Sequence, residues 1–195
     1  NPEMKPKGLP NSEIKSILEK LREKYGSAYV PKTTLTKPVG APGQGQPLEN
    51  NIKLANSLLD SAGWKMRANG IRSKDSKQMD IKLVLNSPLF QRIVEPYKNN
   101  LKKIGVKLDI KVVQIAKYEE VLRNFKSDMV VANYPQSRSP GNEQRSMWSS
   151  EAESTLGSRN YMGIKNPAID ELINAIVEAK SRKKLINSIQ TMDRI

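Results

Sequence analysis

Hydrophobic positions change their spacing along the chain, and each change marks an element. Residues 1–11 are polar and Pro-rich; then Ile14, Ile17, Leu18 and Leu21 recur at helical spacing. Asn11 or Ser12 can cap this helix, and Gly26 ends it. Residues 30–48 hold Pro31, Pro38, Pro42 and Pro47 with Gly40, Gly43 and Gly45, and no periodic apolar face. They read as a connector. From residue 49 a second helical face runs through Ile52, Ala55, Leu58, Leu59 and Ala62, closed by Gly63 in the position just past a helix end. Residues 65–79 are polar, with Asn69-Gly70 as a turn signal.

The period then shifts to that of a strand. Asp80 to Asn86 reads as extended chain. Leu89, Ile93, Val94, Tyr97, Leu101 and Ile104 form a helical stripe, stopped by Gly105. Residues 106–113 alternate as a half-buried strand, a short helix passes through Tyr118, Val121 and Leu122, and residues 128–132 are a third strand. This βαβαβ order predicts an α/β fold, a mixed sheet with parallel neighbours, right-handed crossovers and flanking helices. A polar stretch, 133–166, leaves the third strand, and helices follow at 167–179 and 181–195. The last meets no stop signal at Ile195, so a longer parent chain is expected. The organisation expected is a helix plus connector over 1–48 and an α/β lobe over 49–195, with no internal repeat.

Two zeros in the composition narrow the chemistry. The 195 residues include no cysteine and no histidine. Thiolate nucleophiles, disulfides, Cys/His zinc sites and histidine-based triads are excluded. Acid–base work would fall to Asp, Glu, Lys or Tyr. Glu119-Glu120 are adjacent on a helix and do not face each other. No carboxylate pair is placed by spacing to flank a substrate, so an enzyme is not supported, and no cofactor or metal is called for. No run of apolar residues is long enough to span a membrane, and residues 1–6 contain no signal-peptide core.

The net charge of +13 raises nucleic acid as a partner. The excess is spread, +7 over residues 1–79 and +6 over 80–195, and only 10 aromatic residues are present, without an RNA-binding pattern. A solvated lysine-rich surface explains this charge more simply. Ligands of open α/β sheets bind beyond the carboxyl ends of the strands. The segment 133–148, which includes Asn133, Tyr134, Ser139, Asn142, Glu143 and Arg145, sits there and is rich in donors and acceptors. Arg138 or Arg145 could hold a carboxylate, and Glu143 an ammonium. A second polar patch, 157–164, carries Arg159 and Asn160 but no phosphate-loop pattern. Asp170 and Glu171, in the first turn of a helix, read as complements to its dipole.

Several segments taken in order resemble one family. Lys7-Gly8-Leu9-Pro10-Asn11-Ser12-Glu13 is followed by Ala55-Asn56-Ser57-Leu58-Leu59-Asp60-Ser61-Ala62-Gly63-Trp64, similar to an A-x-x-L-L-x-x-A-G-[WY] element. Leu101-Lys102-Lys103-Ile104-Gly105-Val106, Phe125-Lys126-Ser127-Asp128-Met129, residues 139–144, residues 157–164 and residues 166–173 complete the order. Together they resemble family 5 extracellular solute-binding proteins, the peptide-binding subunits of ABC importers. Ser139-Pro140-Gly141-Asn142-Glu143 and Gly157-Ser158-Arg159-Asn160 point to the YejA-like oligopeptide and microcin C branch.

The resemblance implies a two-lobed, type II-like (class C) binding protein of the periplasm, of which this chain is the second lobe, truncated, with the segment leading to it. Its function would be non-catalytic: capture of a peptide, closure by a hinge motion and delivery to permease subunits. The partners implied are a peptide ligand, the permease and the first lobe of the same protein, and no nucleic acid. Relatives receive the peptide ammonium on an aspartate near the position of Asn133, which lacks the charge; Glu143 is the alternative receiver. The ligand-binding residues expected are Asn133, Tyr134, Ser139, Asn142, Glu143, Arg145, Arg159 and Asn160. A basic nucleic-acid-binding domain and a carboxylate hydrolase are the competing functions.

Overall fold

Local chemistry sets most element boundaries. The structure, a computed structural model, describes residues 2–36 and 45–195. Asn11 caps helix α1 (Ser12–Tyr25) by accepting the Ile14 N–H at 2.9 Å. Helix α2 (Leu48–Ser61) follows Pro47. Three short strands come next, β1 (Lys65–Met66), β2 (Arg72–Lys74) and β3 (Lys77–Gln78), then β4 (Asp80–Leu85). Ser87 caps α3 (Pro88–Lys103), which has proline in its first turn. Strand β5 (Lys107–Val112), helix α4 (Ile115–Arg123) and strand β6 (Met129–Val130) complete the βαβαβ run. Helix α5 (Glu143–Trp148) lies inside the stretch read as loop. Asn166 caps α6 (Pro167–Val177) and Ser181 caps α7 (Arg182–Met192). The connector residues Pro38, Gly40, Pro42 and Gly43 lie outside the described residues.

The chain forms two compact units. One is built from residues 45–133. Its sheet has the order β5-β4-β6, all parallel, with Asp80 opposite Lys107 and Leu83 opposite Met129. This is the parallel arrangement the periodicity predicts. Alternation along β4 sends Leu83 and Leu85 into a cluster with Leu101, Val106 and Leu108, and Val84 into another with Tyr118 and Val121. The α3 stripe divides: Val94 and Leu101 pack inward, whereas Leu89 and Ile93 are each 70% exposed. At about 100° per residue, Ile93 and Leu89 turn away from the line that carries Val94.

The second sheet, β1-β2-β3, is antiparallel and falls in the segment read as polar with one turn. Asp75 and Ser76 both have positive φ, the geometry of a two-residue hairpin turn, without the Asn-Gly or Asp-Gly sequence that signals one. Arg72 on β2 is 2% exposed and explains why this sheet forms. Helices α2 and α3 both end in a glycine with positive φ, Gly63 and Gly105, closed by the paired bonds Trp64 N–H to Leu59 O (2.9 Å) and Val106 N–H to Leu101 O (3.0 Å). Arg72 takes up carbonyls that these endings leave over. Its Nε donates to Ile104 O (2.8 Å) and Nη1 to Trp64 O (2.5 Å) and Asp60 Oδ1 (2.7 Å). Nη2 donates to Asn56 Oδ1 (2.8 Å), and the Arg72 N–H donates to Gly105 O (2.7 Å). The guanidinium beside Asp60 holds that carboxyl below its ordinary value. Lys74 adds a bond to Ala62 O at 3.0 Å.

The other unit joins residues 2–36 to 134–195. Ile14, Leu18 and Leu21 of α1 share a buried cluster with Val30, Ala168 and Leu172. The division expected at residue 48 therefore differs from the compact units: α1 packs with the C-terminal helices. Arg22 fixes part of the expected connector as a 3-10 turn, Lys32–Leu35, by donating to Val30 O (2.8 Å), Pro31 O (3.0 Å) and Thr34 Oγ1 (3.1 Å).

Replacing Arg72 with methionine should lower the unfolding free energy by roughly 2–4 kcal/mol, because the buried carbonyls lose charged donors. Lysine should recover little of it, having one ammonium for acceptors spread around a planar group. Urea denaturation measures both. Gly105→Ala should cost about 2 kcal/mol in the same assay. The new Cβ would lie 2.8 Å from Arg72 Cγ and from Met66 Sδ, at φ +75°.

Candidate ligand-binding site

The segment beyond β6 is organised by its aromatic residues. Tyr134 and Trp148 stack with ring centroids 4.9 Å apart and planes 26° apart. Tyr161 tilts against Tyr134 at 5.9 Å, and the Arg159 guanidinium lies 5.5 Å from the Tyr134 ring centroid. The Tyr134 hydroxyl donates to Arg159 O at 3.2 Å. One turn of α5 sets the indole angle. Gln144 and Trp148 are four residues apart on that helix, and Gln144 Oε1 accepts the indole N–H at 2.9 Å. Gln144, 2% exposed, donates through Nε2 to Gln136 Oε1 at 2.7 Å and to Glu143 Oε1 at 3.1 Å. Its amide is thereby satisfied on both sides.

Within the same unit, a cavity of about 740 Å³ is lined by Trp148, Gln136, Gln144, Met162, Ile169 and Met192, among others. That size lies within the range of small-ligand sites.

The expected site residues separate into groups. Tyr134 and Arg159 belong to the aromatic assembly. Glu143 is exposed, and both its oxygens accept the Gly141 N–H, at 3.0 and 3.1 Å. Burial pushes its carboxyl up, but the Gly141 N–H, its own N–H and the Gln144 amide outweigh this and hold it below the ordinary value. Ser139, Asn142 and Arg145 are exposed; Asn142 precedes α5 without a side-chain cap bond. Asn133 is exposed at the end of the sheet-bearing unit, past β6.

Asn160 is placed otherwise than a ligand donor would be. It is 1% exposed, its Nδ2 donates to Ser149 O (3.1 Å) and Ile164 O (2.8 Å), and its Oδ1 accepts the Ile164 N–H (2.9 Å). It closes its own loop. Asp170 likewise accepts the Ser150 N–H at 2.8 Å, and Glu171 accepts from Tyr25 and Lys24, each at 2.7 Å. The expected list omits Gln136, Gln144, Trp148 and Tyr161. The Gln144/Trp148 spacing of four was the available signal, obscured because a six-residue helix carries no apolar period.

Residues 14–155 match the sequence model of the bacterial extracellular solute-binding proteins, family 5 Middle. The chain belongs to this family. It is 33% identical, over 99% of its length, to an uncharacterised protein of Sinorhizobium fredii. It is 32% identical, again over 99%, to a protein of Agrobacterium fabrum named as the probable peptide-binding protein YejA. The chain spans 29% and 31% of those two relatives. The oligopeptide-binding protein AppA of Bacillus subtilis, solved in complex with a nonapeptide, superposes with a TM-score of 0.66 at 25% identity, over 93% of this chain and 36% of AppA. The α/β class expected from the sequence, with helices flanking small sheets, is the fold of these solute-binding proteins.

Burial pushes the Tyr134 phenol up, the neighbouring Tyr161 adds to this, and Arg159 opposes it; the net direction is above the ordinary 10.0. Below that value folded and unfolded chains both carry the neutral phenol. Above it the unfolded chain ionises first, so the stability contributed by Tyr134 is lost as pH rises through the folded pKa. An ultraviolet tyrosinate titration should show a late-ionising phenol that is absent in Tyr134→Phe.

Proposed function

We propose that this chain forms part of the ligand-gripping region of a receptor that captures oligopeptides outside the cytoplasm and delivers them to an ABC importer. The reading is carried by its match over nearly its whole length to proteins named for peptide binding, YejA of Agrobacterium fabrum and AppA of Bacillus subtilis. The segment 134–161 suits the task. It offers a fixed aromatic surface, exposed Ser139, Asn142 and Arg145, and the ionised Glu143 as receiver for a peptide ammonium. The remaining partners are the permease and the rest of the receptor, with the periplasm as the working compartment. Binding and release by hinge closure need no cofactor.

The nucleic-acid alternative draws no support from three of the arginines. Arg22, Arg72 and Arg194 point their guanidinium groups at backbone carbonyls, Arg194 at Thr36 O (2.9 Å) and Gly8 O (3.0 Å). These donors are committed within the fold.

Isothermal titration of the protein as its gene encodes it, with short peptides, should give dissociation constants of about micromolar or tighter. Glu143→Gln should weaken peptides with a free amino terminus more than their acetylated forms. Failure of every peptide to bind, with oligonucleotide binding that falls steeply with salt, would overturn the proposal.

A further inference from the structure

Trp148 is held on two sides and open on another. One ring face stacks on Tyr134, and Gln144 takes the indole N–H. The same ring lines the cavity, to which Tyr134 does not contribute. Toward the cavity the indole therefore presents carbon surface with no donor left to offer. Much of the remaining wall is apolar and flexible, with Met4, Met162 and Met192 beside Ile169 and Ile189. Thioether side chains adapt to guests of different shape. The charged lining residues are one of each sign, Lys5 and Asp193, so the cavity favours no net charge.

Resting on the peptide-receptor reading above, we propose that this cavity is a side-chain subsite for a large apolar or aromatic residue of a bound peptide. Trp148 is its recognition surface, and Gln144 is the positioning residue that sets the ring angle. The ring is oriented before ligand arrives, so little freedom is lost on binding. An aromatic guest removes about 150–250 Å² of its own surface from water. A planar or branched apolar side chain gains from the carbon face, whereas a charged one would leave water for a wall whose two charged groups, Lys5 and Asp193, oppose each other in sign. The methionines make the preference broad among apolar residues.

The test uses the protein as its gene encodes it. One short peptide is varied at a single position through alanine, leucine, phenylalanine, lysine and glutamate. Binding is measured by calorimetry and by fluorine NMR of fluorotryptophan-labelled protein, with the Trp148 signal assigned by its loss in Trp148→Phe. The leucine and phenylalanine peptides should bind at least about ten-fold more tightly than the alanine peptide and shift the Trp148 signal. Trp148→Ala should reduce that ratio to about two. Gln144→Leu, which removes the acceptor of the indole N–H, should reduce it as well and should move the Trp148 signal in the absence of peptide. Met162 is 62% exposed, so Met162→Asp does not threaten folding. That variant should lose the apolar preference and favour the lysine peptide. Peptides that bind without apolar preference overturn the subsite and leave the receptor reading standing. Failure of all peptides overturns both. A Trp148 signal already shielded from solvent without peptide, and unmoved by it, means that the protein's own chain fills the cavity, which also overturns the proposal.

Discussion

The sheet-bearing unit depends on one buried cation. Arg72 stands where α2 and α3 both end, and a helix end concentrates carbonyls that have no partner within the helix. The guanidinium is planar, permanently charged and carries five donors, so it can serve acceptors arriving from several directions. Its engagement of Ile104, Trp64, Asp60 and Asn56 ties two helix termini to a strand of only three residues. Gly105 must be a glycine for the same reason: the chain passes so close to Arg72 and Met66 that a side chain there would meet them. The antiparallel sheet is too small to stand by hydrogen bonding alone. It is an attachment built around the arginine.

The same device recurs in the other unit, where Arg22 gathers the turn after α1 and Arg194 binds carbonyls near Gly8 and Thr36. A high positive charge is thus partly internal architecture. The aromatic segment beyond β6 works differently. Its orientation comes from neutral amides and stacked rings, Gln136, Gln144, Trp148 and Tyr134, which fix geometry without placing an unpaired charge in an apolar surrounding.

The parts legible in the sequence are those with a repeating period. The helices and the three parallel strands follow from apolar spacing, and Gly63 and Gly105 mark two ends correctly. The β1-β2-β3 sheet was hidden because its strands are too short to show alternation and its organiser is a charged residue. Helix α5 was hidden because its buried positions include a glutamine. Asn160 and Glu143 looked alike as polar loop residues, and only the fold separates the enclosed amide from the exposed carboxylate. Residue type indicates what a side chain can bond to. Whether a neighbour has already taken that capacity depends on contacts distant in sequence.

The core cluster that unites α1 with α6 has a consequence for the order of synthesis. Lys24 and its ion-pair partner Glu171 are separated by 147 residues. At ribosomal rates of about 5–20 residues per second, α1 waits roughly 7–30 s before its partners exist. The sheet-bearing unit is completed within that interval, being continuous from residue 45 to 133. Throughout the wait, Ile14, Leu18 and Leu21 lack the cover that Ala168 and Leu172 give them in the folded unit, and exposed apolar surface of this kind is what chaperones hold. Of the two units, the discontinuous one is therefore the more exposed to interference during translation.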